Sequence, residues 1–274
     1  MISSTVSILL PKENNIPFYE SFVNQYSFII SVTFITHYII GNKCNDEEIL
    51  QIFQNMHGKL EDYNTLQIYM QGAGLCISAP QQDEHRGLLN EKVFNDLMKK
   101  KISSKDILLF FNNALEFTSI YALFELTIKR ILQENNIISN KTFFREEEFV
   151  EKINEYLDRK SIKDKFYKEL NNRISISNGN VLKMFFNYFT CIRHLYAHNG
   201  GMISQKWKQD FLSKKGILEN NLPFSINNEL VVDSLTKIKV NSNDYFYLPD
   251  IQANIFRNIC VSIIEAIYVT YCTE

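Results

Sequence analysis

Apolar residues recur every three or four positions over most of this chain, and that spacing predicts helices. The longest register runs from about residue 104 to 135 and takes in Leu108, Phe111, Leu115, Ile120, Leu123, Phe124, Ile128 and Ile131. Ser103 or Ser104 is placed to cap its start. Glu116 and Glu125 fall inside it, and Lys129-Arg130 near its end suits the negative pole of the helix dipole. Phe18 to Ile40 predicts a second long helix, carried by Phe18, Phe22, Ile29, Phe34 and Tyr38, although β-branched residues crowd its second half and also suit a strand. Asn45 or Asp46 can cap a further helix from about residue 46, with Ile49, Ile52, Phe53 and Met56 on one face. Residues 59–79 continue the helical pattern, weakened by Gly72 and Gly74, and residues 79–83 break it.

Two shorter, strongly charged helices are predicted over 145–159 and 161–173, and the polar string 175–180 reads as a loop. A second strong helix follows over 180–199. Residues 222–248 change period: Glu229-Leu230-Val231-Val232 and Lys237-Ile238-Lys239-Val240 alternate as strands do and predict a small β-hairpin. Pro249-Asp250 then starts a last helix that runs to about Tyr271. The expected fold class is all-α, with a mainly helical extension over residues 1–100 and a second domain over 101–274 that carries the hairpin.

Composition agrees with helices. Nine Gly and five Pro among 274 residues leave long stretches unbroken, and 45% apolar residues suffice for a sizeable core. The five cysteines (44, 76, 191, 260 and 272) are scattered and form no CxxC pair, which argues against a disulfide framework or a cysteine zinc site. Reduced thiols and a cytoplasmic location are the expectation. Phe28 to Ile40 is the most apolar run, is short for a bilayer and has no cationic segment before it, so no membrane partner is expected.

The net charge of −2 hides an asymmetry. Residues 151–215 hold 13 Lys and Arg against 6 Asp and Glu, a net of +7, while the rest of the chain carries −9. A local positive field suits a polyanionic substrate, and a solvated helix face with interspersed carboxylates would look the same.

The segment Arg193-His194-Leu195-Tyr196-Ala197-His198-Asn199-Gly200-Gly201 falls at the end of that basic section. It gathers two of the five histidines (37, 57, 85, 194 and 198) and an arginine within one and a half turns, then stops the helix with Asn-Gly-Gly. His194 and His198, four apart, share a helix face, whereas Arg193 lies about 140° around the axis from His198. A histidine can give or take a proton near neutral pH. A guanidinium can hold a phosphate by two parallel hydrogen bonds and stabilise charge gained in the transition state. Together these groups fit cleavage of RNA through its own 2′-hydroxyl, with His198 in proton transfer, Arg193 on the phosphorane and His194 positioning the phosphate or the other two. Because the substrate supplies the nucleophile, no metal and no cofactor is expected. A zinc site on His194-x-x-x-His198 fails the metalloprotease pattern, since Leu195 stands where a glutamate is needed and no third ligand is evident.

The spacing Arg193-x4-His198, with a polar residue after the arginine and Asn-Gly after the histidine, resembles the signature of the HEPN (higher eukaryotes and prokaryotes nucleotide-binding) domain. Residues 104–135 and 180–199 are similar to that family's two long core helices, and the resemblance covers about residues 104–272. It implies an all-α bundle and a metal-independent endoribonuclease, with Arg193 and His198 catalytic and His194 at the polar position. It also implies a homodimer whose composite site joins two motifs, acting as a toxin or anti-phage effector, with an antitoxin or defence-complex partner on another chain. The alternative it carries is a catalytically inactive nucleotide- or RNA-binding module or scaffold. Asn199, Tyr196 and Glu125 are supporting candidates: Tyr196 beside substrate or in packing, Glu125 as a carboxylate that could pair with Arg193 or remain solvated.

Other groups carry less. Cys191 lies on an apolar stretch with Phe189 and Ile192 and reads as core, without a Cys-His-Asp arrangement. Gly72-x-Gly74 lacks the third glycine of a dinucleotide loop. Asp83, Glu84 and His85 read as a solvated loop, and Lys183 as a surface charge.

Overall fold

The three- and four-residue spacing resolves into eight helices among the described residues of the computed structural model. They are α1 (Pro17–Lys43), α2 (Asp46–Lys59), α3 (Ser104–Glu134), α4 (Phe149–Arg159), α5 (Lys163–Ile174), α6 (Gly179–Asn199), α7 (Gln205–Asn221) and α8 (Asp250–Cys272). The structure describes residues 9–12, 15–59, 95–96, 98–139, 148–221, 240–241 and 244–272. The helix expected over 59–79, the break with Asp83, Glu84 and His85, and most of the hairpin expected over 222–248 lie outside them. Among the described residues β-structure is limited to an isolated antiparallel bridge between Met202 and Tyr245, so the chain is mostly helical.

Two compact units divide the chain, Met1–Phe34 with Asn113–Glu274, and Ile35–Asn112. In the smaller unit, local polar chemistry sets the helix starts. The Asn45 side chain accepts a hydrogen bond from the Glu47 amide at 2.9 Å at the head of α2. The Ser103 hydroxyl accepts from the Asp106 amide at 3.0 Å at the head of α3. Asp46 reaches the start of α3 as well, accepting from the Ser104 hydroxyl at 2.6 Å and the Lys105 amide at 2.9 Å. Those hydrogen bonds, Ser104 first, hold its carboxyl below the usual range. The β-branched half of α1 remains helical and shows no strand; Thr33 returns its hydroxyl to the Ile29 carbonyl at 2.9 Å, within its own helix.

The larger unit is built on aromatic side chains. Phe117 of α3, Phe189 of α6 and Phe256 of α8 meet pairwise, with ring centroids 6.2, 4.6 and 5.0 Å apart. Phe124 stacks on Phe186 at 5.4 Å, and Phe149 of α4 joins both rings. This contact face corrects the sequence register of α3. Phe117 and Tyr121 are buried with Ile120, Phe124 and Ile128, while Leu115 is 61% exposed. α7 covers residues to which the hydrophobic pattern assigned no element. Trp207, Phe211 and Leu218 are its buried residues, and the Ser204 hydroxyl accepts from the Trp207 amide at 3.2 Å. Trp207 stacks on Phe211 at 4.8 Å and donates its indole N–H to the Cys191 carbonyl of α6 at 2.7 Å.

α8 collects the polar ties of this unit. Asn113 of α3 donates to the Leu248 carbonyl and to Asp250, at 3.1 and 2.5 Å, and so fixes the start of α8. Glu265 pairs with Arg173 of α5 and accepts from the Leu10 amide at 2.5 Å. Tyr19 stacks on Tyr268 at 3.9 Å. α3 and α8 are each long and apolar enough to cross a membrane by length and composition, yet 72% of the apolar window of α8 is buried within the fold, as in a core helix.

Glu116, which the sequence leaves inside α3 without a partner, is buried against Arg257 at 2.5 Å, and Arg257 also donates to Asn254 at 2.8 Å. Removing one member of such a pair leaves a buried charge uncompensated, a loss of about 3–5 kcal/mol. Glu116→Ala is therefore expected to lower the thermal midpoint far more than Lys129→Ala, which removes the partly exposed Lys129–Glu125 pair at 2.6 Å. Thermal unfolding of the two variants checks this, and equal shifts would contradict it.

Candidate functional site

α6 carries the motif, and its two ends are set by local chemistry. Asn178 caps its start, its side chain accepting from the Asn180 and Val181 amides at 3.0 and 3.1 Å. Its far end closes at Gly200, whose φ of 53° is left-handed, and the amides of Gly200 and Gly201 both turn back to the Leu195 carbonyl. The Met202 amide takes the Asn199 carbonyl at 2.9 Å. These bonds satisfy part of the negative pole of the helix, which would otherwise oppose a phosphate and favour a cation.

Beyond the turn the chain is held by residues 244–246. The Phe246 amide donates to the Gly201 carbonyl and the Ile203 amide to the Asp244 carbonyl, each at 2.9 Å. Tyr196 has a packing role here. Its hydroxyl donates to the Phe246 carbonyl at 2.5 Å, and its ring lies 6.3 Å from those of Tyr245 and Phe246. Burial raises its pKa well above the ordinary tyrosine value, so it stays a neutral phenol.

The remaining motif side chains lie at the accessible edge. Arg193 and His194 are half-buried, and His198 and Asn199 are exposed. The ring contacts of the three candidates fall into two groups. The rings of His194 and His198 face each other with centroids 5.6 Å apart and planes at 50°, as expected from their four-residue spacing. Arg193 instead places its guanidinium carbon 5.6 Å from the centroid of the Tyr121 ring on α3.

Tyr121 and Thr190 are the residues that sequence reasoning did not single out. The Tyr121 hydroxyl shares a 2.7 Å hydrogen bond with Thr190, three residues before Arg193 on α6, and its ring stacks on Phe256 at 5.5 Å. A signal was present: Tyr121 lies one turn before Glu125, so both occupy one side of α3. Glu125 itself holds Lys129 of its own helix at 2.6 Å.

Cys191 is buried, with its sulfur 3.5 Å from Asp210. Burial, which outweighs the opposing pull of Lys214, pushes its thiol up to about 12. It therefore stays protonated at neutral pH, which agrees with a core residue and not a nucleophile. Lys183 pairs with Glu151 at 2.7 Å on the surface. Among the described residues no group of three or more His, Cys, Asp and Glu side chains is arranged to hold a metal ion.

The Gly-Gly end can be tested separately at each residue. A Cβ on Gly201 would stand 2.5 Å from ring carbons of Tyr245, at a φ of 89°. A Cβ on Gly200 would meet nothing within 4 Å and carries only the cost of its positive φ, about 1 kcal/mol. Gly201→Ala is expected to lower stability well beyond Gly200→Ala in chemical denaturation, and equal losses would contradict the close approach of Tyr245. In comparisons with known proteins, no family model, curated protein or solved structure matches the chain.

Proposed function

We propose that this protein is a metal-independent endoribonuclease of HEPN type, cutting RNA at the end of α6. One observation supports this reading: Arg193, His194 and His198 share the last turn and a half of one helix, and none of them is buried. The basic balance of residues 151–215 adds a field that attracts a polyanion.

The chemistry needs no group beyond these. The 2′-oxygen of the substrate attacks the adjacent phosphorus and forms the O2′–P bond while the P–O5′ bond breaks. His198, the more exposed ring, takes the 2′-hydroxyl proton. In this reading His194, one turn earlier on the same helix face, returns a proton to the departing 5′-oxygen. The products are a 2′,3′-cyclic phosphate and a free 5′-hydroxyl. Arg193 bears the charge that accumulates on the phosphorane oxygens. Its contact with Tyr121, 5.6 Å from guanidinium carbon to ring centroid, limits the conformations it must give up on engaging phosphate. The HEPN family supplies the rest of the proposal: a homodimer joining two motifs in one cleft, and a role as toxin or anti-phage effector with a partner antitoxin.

The test is to incubate total RNA with wild type, Arg193→Ala and His198→Ala in excess EDTA. Wild type should fragment the RNA, and each variant should lose at least about a hundredfold in rate, the usual share of one general base or one charge-stabilising donor. Equal fragmentation by all three proteins removes the catalytic assignment. Binding of RNA by wild type without cleavage, weakened in Arg193→Ala, would identify a binding module instead.

A further inference from the structure

We propose that Lys214 on α7 forms a second phosphate subsite, for the nucleotide flanking the cut, and that Asp210 holds this lysine until RNA displaces it. The position of the cut rests on the ribonuclease reading above; the binding of RNA at Lys214 does not.

α7 runs back along α6. Trp207 reaches the Cys191 carbonyl at 2.7 Å, and Phe211, one turn later, meets the ring of Tyr188, earlier on α6, at 5.3 Å. One flank of α7 carries Lys206, Asp210 and Lys214, spaced four apart. A single oxygen of Asp210 ties this flank to α6. It accepts from the Lys214 ammonium at 2.9 Å and lies 3.5 Å from the Cys191 sulfur. The ammonium therefore stands beside Cys191. His194 follows Cys191 by three residues, about 4.5 Å along the axis, and His198 follows by seven, so all three share one strip of α6. Arg193 lies about 160° around the axis from Cys191, on the side of Tyr121. A strand whose scissile phosphate meets the imidazoles thus has Arg193 on one side and Lys214 on the other.

The Lys214–Asp210 pair is easily opened. It joins side chains one turn apart that are 27% and 53% exposed, and such pairs contribute little to stability. Asp210 keeps a second partner, the Cys191 thiol, when the ammonium swings away, and its exposed edge stays hydrated. A phosphate offers the lysine a charge-assisted hydrogen bond, and its neutralisation releases condensed counterions. Lys206 is exposed at the near end of the same flank. Two cations against one carboxylate leave a field that still draws a polyanion.

The two members of this pair therefore act on RNA in opposite directions. Loss of the lysine charge removes a phosphate contact. Loss of the carboxylate charge releases the lysine and raises the local charge by one. An ion pair with a structural role alone would give variants that change RNA affinity in the same direction or not at all.

The experiment measures binding of a fluorescein-labelled, fully 2′-O-methylated single strand, which the proposed chemistry leaves intact, across a range of salt. The proteins are the full-length wild type, Lys214→Gln, Asp210→Asn and Lys163→Gln. Lys163, paired with Asp158 at 2.9 Å, controls for the loss of one positive charge elsewhere. Lys214→Gln should weaken binding about fivefold, the upper range for one exposed charge pair. It should also reduce the salt slope by about 0.7, the share of one phosphate on a single strand. Asp210→Asn should tighten binding by about twofold or more, and Lys163→Gln should change it by less than about twofold. Equal losses in Lys214→Gln and Lys163→Gln, weaker binding by Asp210→Asn, an unchanged salt slope in Lys214→Gln, or no binding by wild type overturns the subsite. With cleavable RNA in EDTA, the loss in Lys214→Gln should appear in KM. Cleavage with the same KM in wild type and Lys214→Gln refutes the subsite and leaves the ribonuclease reading standing. Binding that depends on Lys214, by a wild-type chain that cuts no RNA, refutes that reading and supports the subsite.

Discussion

The contact of Tyr121 with α6 is the constraint on which the site depends. One ring does three things: it hydrogen-bonds Thr190, stacks on Phe256 and lies beneath the guanidinium of Arg193. The hydroxyl bond joins α3 to α6 one turn before the motif begins. The stack carries the same ring onto α8, so three helices meet at one side chain. Buried aromatic contacts of this kind each add about 0.5–1.5 kcal/mol beyond the area they remove from water. Their larger consequence is positional. With the middle of α6 fixed by Phe186 and Phe189 against α3 and α8, its last turn and a half projects from a rigid base.

That base separates the motif into two parts with different freedom. Arg193 has an aromatic face to rest on and reaches phosphate from there. The two imidazoles stand ring to ring, with His198 exposed. A pair of close, accessible rings beside an anchored guanidinium is a sensible layout for moving protons around a phosphate. The Gly-Gly ending contributes by folding the chain back tightly. Tyr245 then covers Gly201 and Tyr196 secures Phe246.

What the sequence made legible was local. Asn45 and Ser103 start helices because their side chains meet amides two or three residues on, whereas the Asn178 cap lay within a stretch read as loop. Gly200 ends α6 because it alone takes the left-handed turn without strain. The histidine pair follows from the helical period. What escaped notice depended on distant partners. Thr190 and Tyr121 are 69 residues apart, and Glu116 and Arg257 are 141 apart, so nothing in either neighbourhood signals the other. The same distance explains the register of α3. Periodicity alone placed Leu115 in the buried stripe, whereas the positions of Phe189 and Phe256 select Phe117 and Tyr121. α7 went unassigned because its inward face rests on Trp207, Phe211 and Leu218 alone, with charged residues between them. Arg193 followed the same rule. Its position in the motif was plain, but its aromatic support on another helix was not.

The central claim is that the end of α6 promotes attack by a ribose 2′-hydroxyl on its own phosphodiester. The most direct measurement compares a single-stranded RNA with its fully 2′-O-methylated counterpart, each incubated with the wild-type chain in EDTA, and determines the chemistry of the product ends. Cleavage of the unmodified strand alone, leaving 2′,3′-cyclic phosphate and 5′-hydroxyl ends, is the predicted result. Cutting of both strands, or products with 5′-phosphate ends, would contradict it.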